Sequence, residues 1–90
     1  MAVIELSSSA FDDTIASGVV LVDFWATWCP PCKALSPLLD ALSEELPEVT
    51  FTKVNTEDEP ELAAKFQIQS IPAVLIFKDG ELVDQFVGLQ

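Results

Sequence analysis

Ninety residues with 15 acids, 4 lysines, no histidine and a formal charge of −11 suit one small domain built on a single core. Half of the residues are hydrophobic, which argues against disorder, and the charge excludes nucleic acid and anionic membrane surfaces as expected partners while favouring solubility. No basic leader is followed by a hydrophobic run, and no stretch nears the roughly 18 apolar residues of a membrane span, so the expected compartment is cytoplasmic, where disulfides are transient and catalytic.

In chain order, Val3 to Leu6 reads as a short strand ended by Ser7, Ser8 and Ser9. Those serines offer an N-cap to a helix with Phe11 and Ile15 on one face, stopped by Gly18. Val19 to Trp25 (VVLVDFW) is an apolar run broken only by Asp23, the pattern of a strand buried on both faces. A helix is expected to begin at Pro31, because Leu35, Leu38, Leu39, Leu42 and Leu46 recur at helical spacing. Pro37 lies inside it and removes the bond to the carbonyl of Lys33, which predicts a kink.

Val49 to Asn55 alternates as a strand with polar members on both faces. Thr56 and Glu59 form a candidate capping box for a helix whose apolar stripe is Leu62, Ala63 and Phe66. Ala73 to Phe77 reads as a buried strand, and Asp79-Gly80 turns it into Glu81 to Val87, a C-terminal hairpin. Strands alternating with helices and ending in a hairpin imply an α/β fold, residues 1–90 as one domain, with a mixed central β-sheet flanked by helices. Only Gly88, Leu89 and Gln90 follow the last strand, so no C-terminal helix is expected. The sheet face left uncovered predicts a monomer of reduced stability or weak self-association.

Cys29 and Cys32 are the only cysteines and are separated by two prolines. A CxxC at a helix start can bridge its own ends, and the free N–H groups and macrodipole there stabilise a thiolate. Placed after a buried strand, Cys29 is expected at the sheet edge, exposed, with Cys32 shielded one turn inward. One sulfur then attacks and the other resolves. A structural disulfide of this span closes almost no loop and stabilises little. Zinc needs four ligands, which leaves only a site shared between chains. Redox chemistry is favoured over zinc and over inert cysteines.

The segment VDFWATWCPPCK, together with SIPAVLIF and KDGELVDQFVG, resembles the thioredoxin family in motif content and order along nearly the whole chain. The resemblance implies a thioredoxin-like fold and a thiol–disulfide oxidoreductase that reduces protein disulfides. It makes Cys29 the nucleophile and Cys32 the resolving thiol. It makes Asp23 a buried carboxylate with a raised pKa that accepts the proton of Cys32, in place of a strand-end residue reaching water, and Lys53 its charge partner. Pro72 matches the family's cis-proline. Trp28, Pro30, Ile71, Pro72, Val87 and Gly88 would form an apolar docking surface where an extended substrate pairs with the backbone, while Trp25 packs.

The resemblance also implies a redox-active disulfide with no bound cofactor, disulfide-containing protein substrates, and electrons from an NADPH-dependent, thioredoxin reductase-like donor. Two residues depart from the family pattern. Pro30 stands where Gly is usual, which removes an N–H near the sulfur and bears on redox poise, and Ser70 stands where many members carry Gly, which narrows the docking groove. Competing readings are a binding module that holds partners in the same groove without turnover, and a disulfide oxidant or isomerase.

Overall fold

Local sequence and long-range pairing together determine the elements of the computed structural model, which describes residues 3–87. These are β1 (Val3–Glu5), α1 (Ser8–Ile15), β2 (Val19–Trp25), α2 (Pro30–Glu45), β3 (Val49–Asn55), α3 (Pro60–Lys65), β4 (Ala73–Lys78) and β5 (Glu81–Val87). The strands join one mixed sheet in the order β1-β3-β2-β4-β5. β2 runs parallel to β3, as β1 does, and antiparallel to β4. The apolar run from Val19 thus occupies the centre, as its lack of alternation predicts.

Alternation along the strands assigns the two faces. Val20, Val22 and Phe24 of β2 join Val54, Leu75 and Phe77 in one core cluster, which Phe11 and Ile15 of α1 and Leu62 of α3 complete. Phe66 joins the rings, its centroid 5.4 Å from that of Phe11, 6.2 Å from that of Phe24 and 5.7 Å from that of Phe77, and the buried Phe11 also meets Phe77 edge-on at 5.8 Å. Phe51, Lys53 and Asn55 pair with Leu21, Asp23 and Trp25 on the other face, toward α2. Thr52 is fully buried, and its hydroxyl donates to the Leu21 carbonyl at 3.0 Å, so the polar member of this strand costs little.

Three local expectations are corrected. Ser7 takes the N-cap position of α1 but its side chain caps nothing. Instead the Glu59 carboxylate accepts from the Ser8 amide at 3.1 Å, and Glu61 accepts from the Ser8 hydroxyl at 2.6 Å. A negative charge from another element does the capping, which the helix dipole favours. Glu59 is therefore engaged elsewhere and no capping box forms, and the Thr56 hydroxyl donates to the Trp25 carbonyl. Finally, α2 begins at Pro30, one residue early, and continues through Pro37 to Glu45. The first two helical positions need no N–H, so both prolines fit there.

The hairpin turn is as read: Asp79 and Gly80 have φ of 51° and 87°, the paired positive values of a two-residue turn whose twist matches the strands. Gly18 (φ 76°) receives this turn, donating its amide to the Asp79 carboxylate and accepting the Asp79 amide, both at 2.9 Å. Leu38, Leu42 and Leu46 of α2 and Val83 and Phe86 of β5 are exposed. Of the leucines that marked α2 by their spacing, Leu39 is buried and Leu35 partly so.

Phe11→Ala should cost about 3–5 kcal/mol, the range for emptying a filled aromatic site, whereas Leu38→Ala, at a position 58% exposed, should stay within about 0.5 kcal/mol. Urea midpoints at unchanged slope measure both.

Candidate active site

The site forms where β2 stops and α2 starts. Cys29 is the N-cap residue of α2 and forms a disulfide with Cys32, their Cα atoms 5.3 Å apart. Pro30 and Pro31 carry no N–H, so the first free amide of the helix belongs to Cys32, and it donates to Cys29 Sγ at 3.2 Å. The helix N-terminus therefore acts on that sulfur through one hydrogen bond and the dipole behind it. The Lys33 amide goes to the Cys29 carbonyl instead, at 3.2 Å.

The expected contrast in exposure is not found. Cys29 and Cys32 are each 2% exposed and lie with Ala26 in a small apolar cluster that Trp25 and Ile71 pack against. What distinguishes the sulfurs is position in the helix: one is outside the first turn and accepts its amide, and the other is within it.

Asp23 lies one residue before Phe24 on the α2 face of β2, 3% exposed, with Oδ1 buried and unpartnered. Its pKa is raised from 3.8 to about 6 by burial, against which the Lys53 charge works in the lowering direction. Lys53 sits directly across from Asp23 in the β2–β3 register. Its close ion pair, however, is with Glu5 at 3.9 Å, and its ammonium lies 5.2 Å from the centroid of the Trp25 ring. It is therefore shared between Glu5, Trp25 and Asp23. Asp23, Trp25, Cys32, Lys33, Ser36 and Lys53 line one cavity of about 90 Å³. That cavity joins the buried carboxylate to the inner cysteine. Ser36 escaped the sequence reading, although its i+4 spacing from Cys32 puts both on one helix face.

The loop before β4 supplies the other wall. Ile71–Pro72 is a cis peptide bond, Pro72 is fully buried, and Ile71 packs on the cysteine cluster. Trp28, 66% exposed, and Pro30 stand open to solvent. Val87 pairs with Ala73, which follows Pro72, and is thereby placed beside this loop. Gly88 lies outside the described residues. The neighbouring cleft of about 210 Å³ is more polar than expected, lined by Gln67, Gln69, Ser70 and Gln85 as well as Val87. The acceptor Glu57 was also missed. It takes bonds from the Thr27 amide at 3.1 Å and from the Thr27 hydroxyl at 2.8 Å.

Comparison with known proteins agrees with this geometry. The family profile described as Thioredoxin matches residues 2–90. A thioredoxin of Staphylococcus saprophyticus is 48% identical, over 100% of this chain and 88% of its own. A thioredoxin of Chlamydia muridarum is 51% identical, over 94% and 83%. The crystal structure of Malassezia sympodialis thioredoxin superposes with a TM-score of 0.92 at 32% identity, covering 100% of this chain and 84% of that one.

The folded protein holds a proton on Asp23 that the unfolded chain has already released between pH 3.8 and about 6. Stability therefore falls as pH rises through that window, and the full loss, ~3 kcal/mol, is present above it. Asp23→Asn should exceed the parent by roughly that amount near pH 8 and match it near pH 4, as read by urea denaturation of the disulfide form.

Proposed function

The chain belongs to the thioredoxin family and is a thiol–disulfide oxidoreductase that reduces protein disulfides, and from that premise we propose how its residues divide the reaction. In the reduced protein the Cys29 thiolate attacks one sulfur of a substrate disulfide. A Cys29–substrate disulfide forms and a substrate thiolate leaves. The Cys32 thiol passes its proton to the Asp23 carboxylate and attacks Cys29 Sγ. The second substrate thiolate leaves and takes up a proton. Two electrons have moved from Cys29 and Cys32 to the substrate, and the enzyme is left in the disulfide state described above.

The observation that carries this reading is the amide of Cys32 directed at Cys29 Sγ. It favours negative charge on Cys29 both as attacking thiolate and as leaving group. Sharing of one cavity by Asp23 and Cys32 supports the proton transfer, and 90 Å³ is large enough to hold water as the relay. A carboxylate whose pKa is about 6 is ionised at neutral pH yet remains a usable base. Lys53 keeps that pKa from rising further.

Trp28, Pro30, Ile71, Pro72 and Val87 receive the substrate, with Gly88 assigned by family likeness. The exposed indole and the backbone at Ile71 offer an apolar contact and a strand-like edge to an extended segment, and the glutamines of the adjoining cleft add hydrogen-bonding capacity. The chemistry needs no bound cofactor. Reduction of the Cys29–Cys32 disulfide by an NADPH-dependent reductase would close the cycle. No described helix is long and apolar enough to cross a membrane, and a cytoplasmic setting, where disulfides are transient and catalytic, suits the chemistry proposed.

Cys32→Ser should accumulate mixed disulfides through Cys29 with a disulfide-bonded protein, and Cys29→Ser should accumulate none. Non-reducing mass spectrometry after incubation reads both. Adducts absent from Cys32→Ser, or formed equally by Cys29→Ser, would reverse the assignment. A binding module would keep its partner unchanged in either variant.

A further inference from the structure

We propose that Glu57 is a positioning residue for substrate docking, its carboxylate clamping Thr27 and thereby holding Trp28 in place beside Cys29. The inference rests on Trp28 serving as a docking residue. With its side chain 66% exposed, Trp28 has little core packing to fix it, so its place is set by the backbone on either side. On the Cys29 side, the Cys29 amide donates to the Ala26 carbonyl at 3.3 Å. On the other, the amide and the hydroxyl of Thr27 both converge on Glu57 Oε1. Two donors on one charged acceptor make a directional, charge-assisted hold.

The clamp is itself anchored. The Glu57 amide donates to Asn55 Oδ1 at 2.9 Å, and the Thr56 amide and hydroxyl both donate to the Trp25 carbonyl. The turn after β3 is thus laced to the turn after β2, across thirty residues of sequence. These bonds lie at the surface, where water competes and the gain in global stability is small. Their effect is instead on geometry, because a docking group displaced by about an ångström loses much of its value. Glu57 also responds to them: the Thr27 hydroxyl first, and then the Thr27 amide, lower its pKa.

The test uses the full chain, kept reduced by excess dithiothreitol with insulin as the protein disulfide, and pre-reduced and freed of dithiothreitol with 5,5′-dithiobis(2-nitrobenzoic acid) as the small one. Glu57→Ala should raise KM for insulin about fivefold, the loss expected for a hydrogen bond weakened by competing water, with kcat, the thermal midpoint and the small-disulfide rate nearly unchanged. Glu57→Gln, whose amide oxygen can accept the same bonds, should restore most of the affinity. Thr27→Val, which keeps the amide donor alone, should fall between. Trp28→Ala should raise KM for insulin at least as much.

An unchanged KM in Glu57→Ala, with Trp28→Ala impaired, would overturn the clamp and leave the docking role of Trp28 intact. An unchanged KM in Trp28→Ala would overturn both. A Glu57→Ala protein that melts early and slows both substrates equally would replace the clamp with a purely structural role.

Discussion

One amide pointing at one sulfur sets the terms for the rest of this molecule. For the Cys32 N–H to reach Cys29 Sγ, β2 must end and α2 must begin within a few residues, because the orphan donors of a helix exist only in its first turn. The adjacent prolines sharpen the condition by removing two of those donors while fitting the helical backbone. Everything that holds β2 at the sheet centre and fixes the start of α2 therefore acts on the reactivity of a single atom.

The buried carboxylate of Asp23 belongs to the same arrangement and works against the fold. It stands among apolar neighbours in the central strand, and desolvation outweighs the Lys53 charge that faces it. Lys53 could offset more of that cost if it were not also paired with Glu5 and seated over Trp25. The proton-accepting role proposed for Asp23 requires this imbalance, because such a base needs a pKa below but near neutrality. Fuller pairing would produce a more stable protein with a weaker base.

How far the sequence discloses this depends on the range of the interaction. β2, β3 and β5 carry their limits in apolar runs and turn residues, and their observed bounds are those read from the residues. The start of α2 moved by one position because two prolines can share a helix entry. Placement after a buried strand puts Cys29 at the sheet edge, where exposure is expected, whereas packing by Ala26, Trp25 and Ile71 decides its burial. The cis bond before Pro72 is invisible to composition and periodicity and was legible only through family likeness. Glu57 and Thr27 leave no periodic trace, since their contact arises only after two separate strands have been set side by side. Ser36 could have been found by following the helix face from Cys32.

The cap of α1 bears on the order in which the protein can take shape. Glu59 and Glu61 complete the beginning of that helix, yet the ribosome makes them some fifty residues after Ser8. The central strand likewise waits for β3 on one side and β4 on the other. An emerging chain that has released only its first half carries a frayed α1 and an unflanked apolar strand. Its early segments thus gain their final partners only after β3, α3 and β4 have emerged, which leaves their apolar surface exposed for that interval of translation.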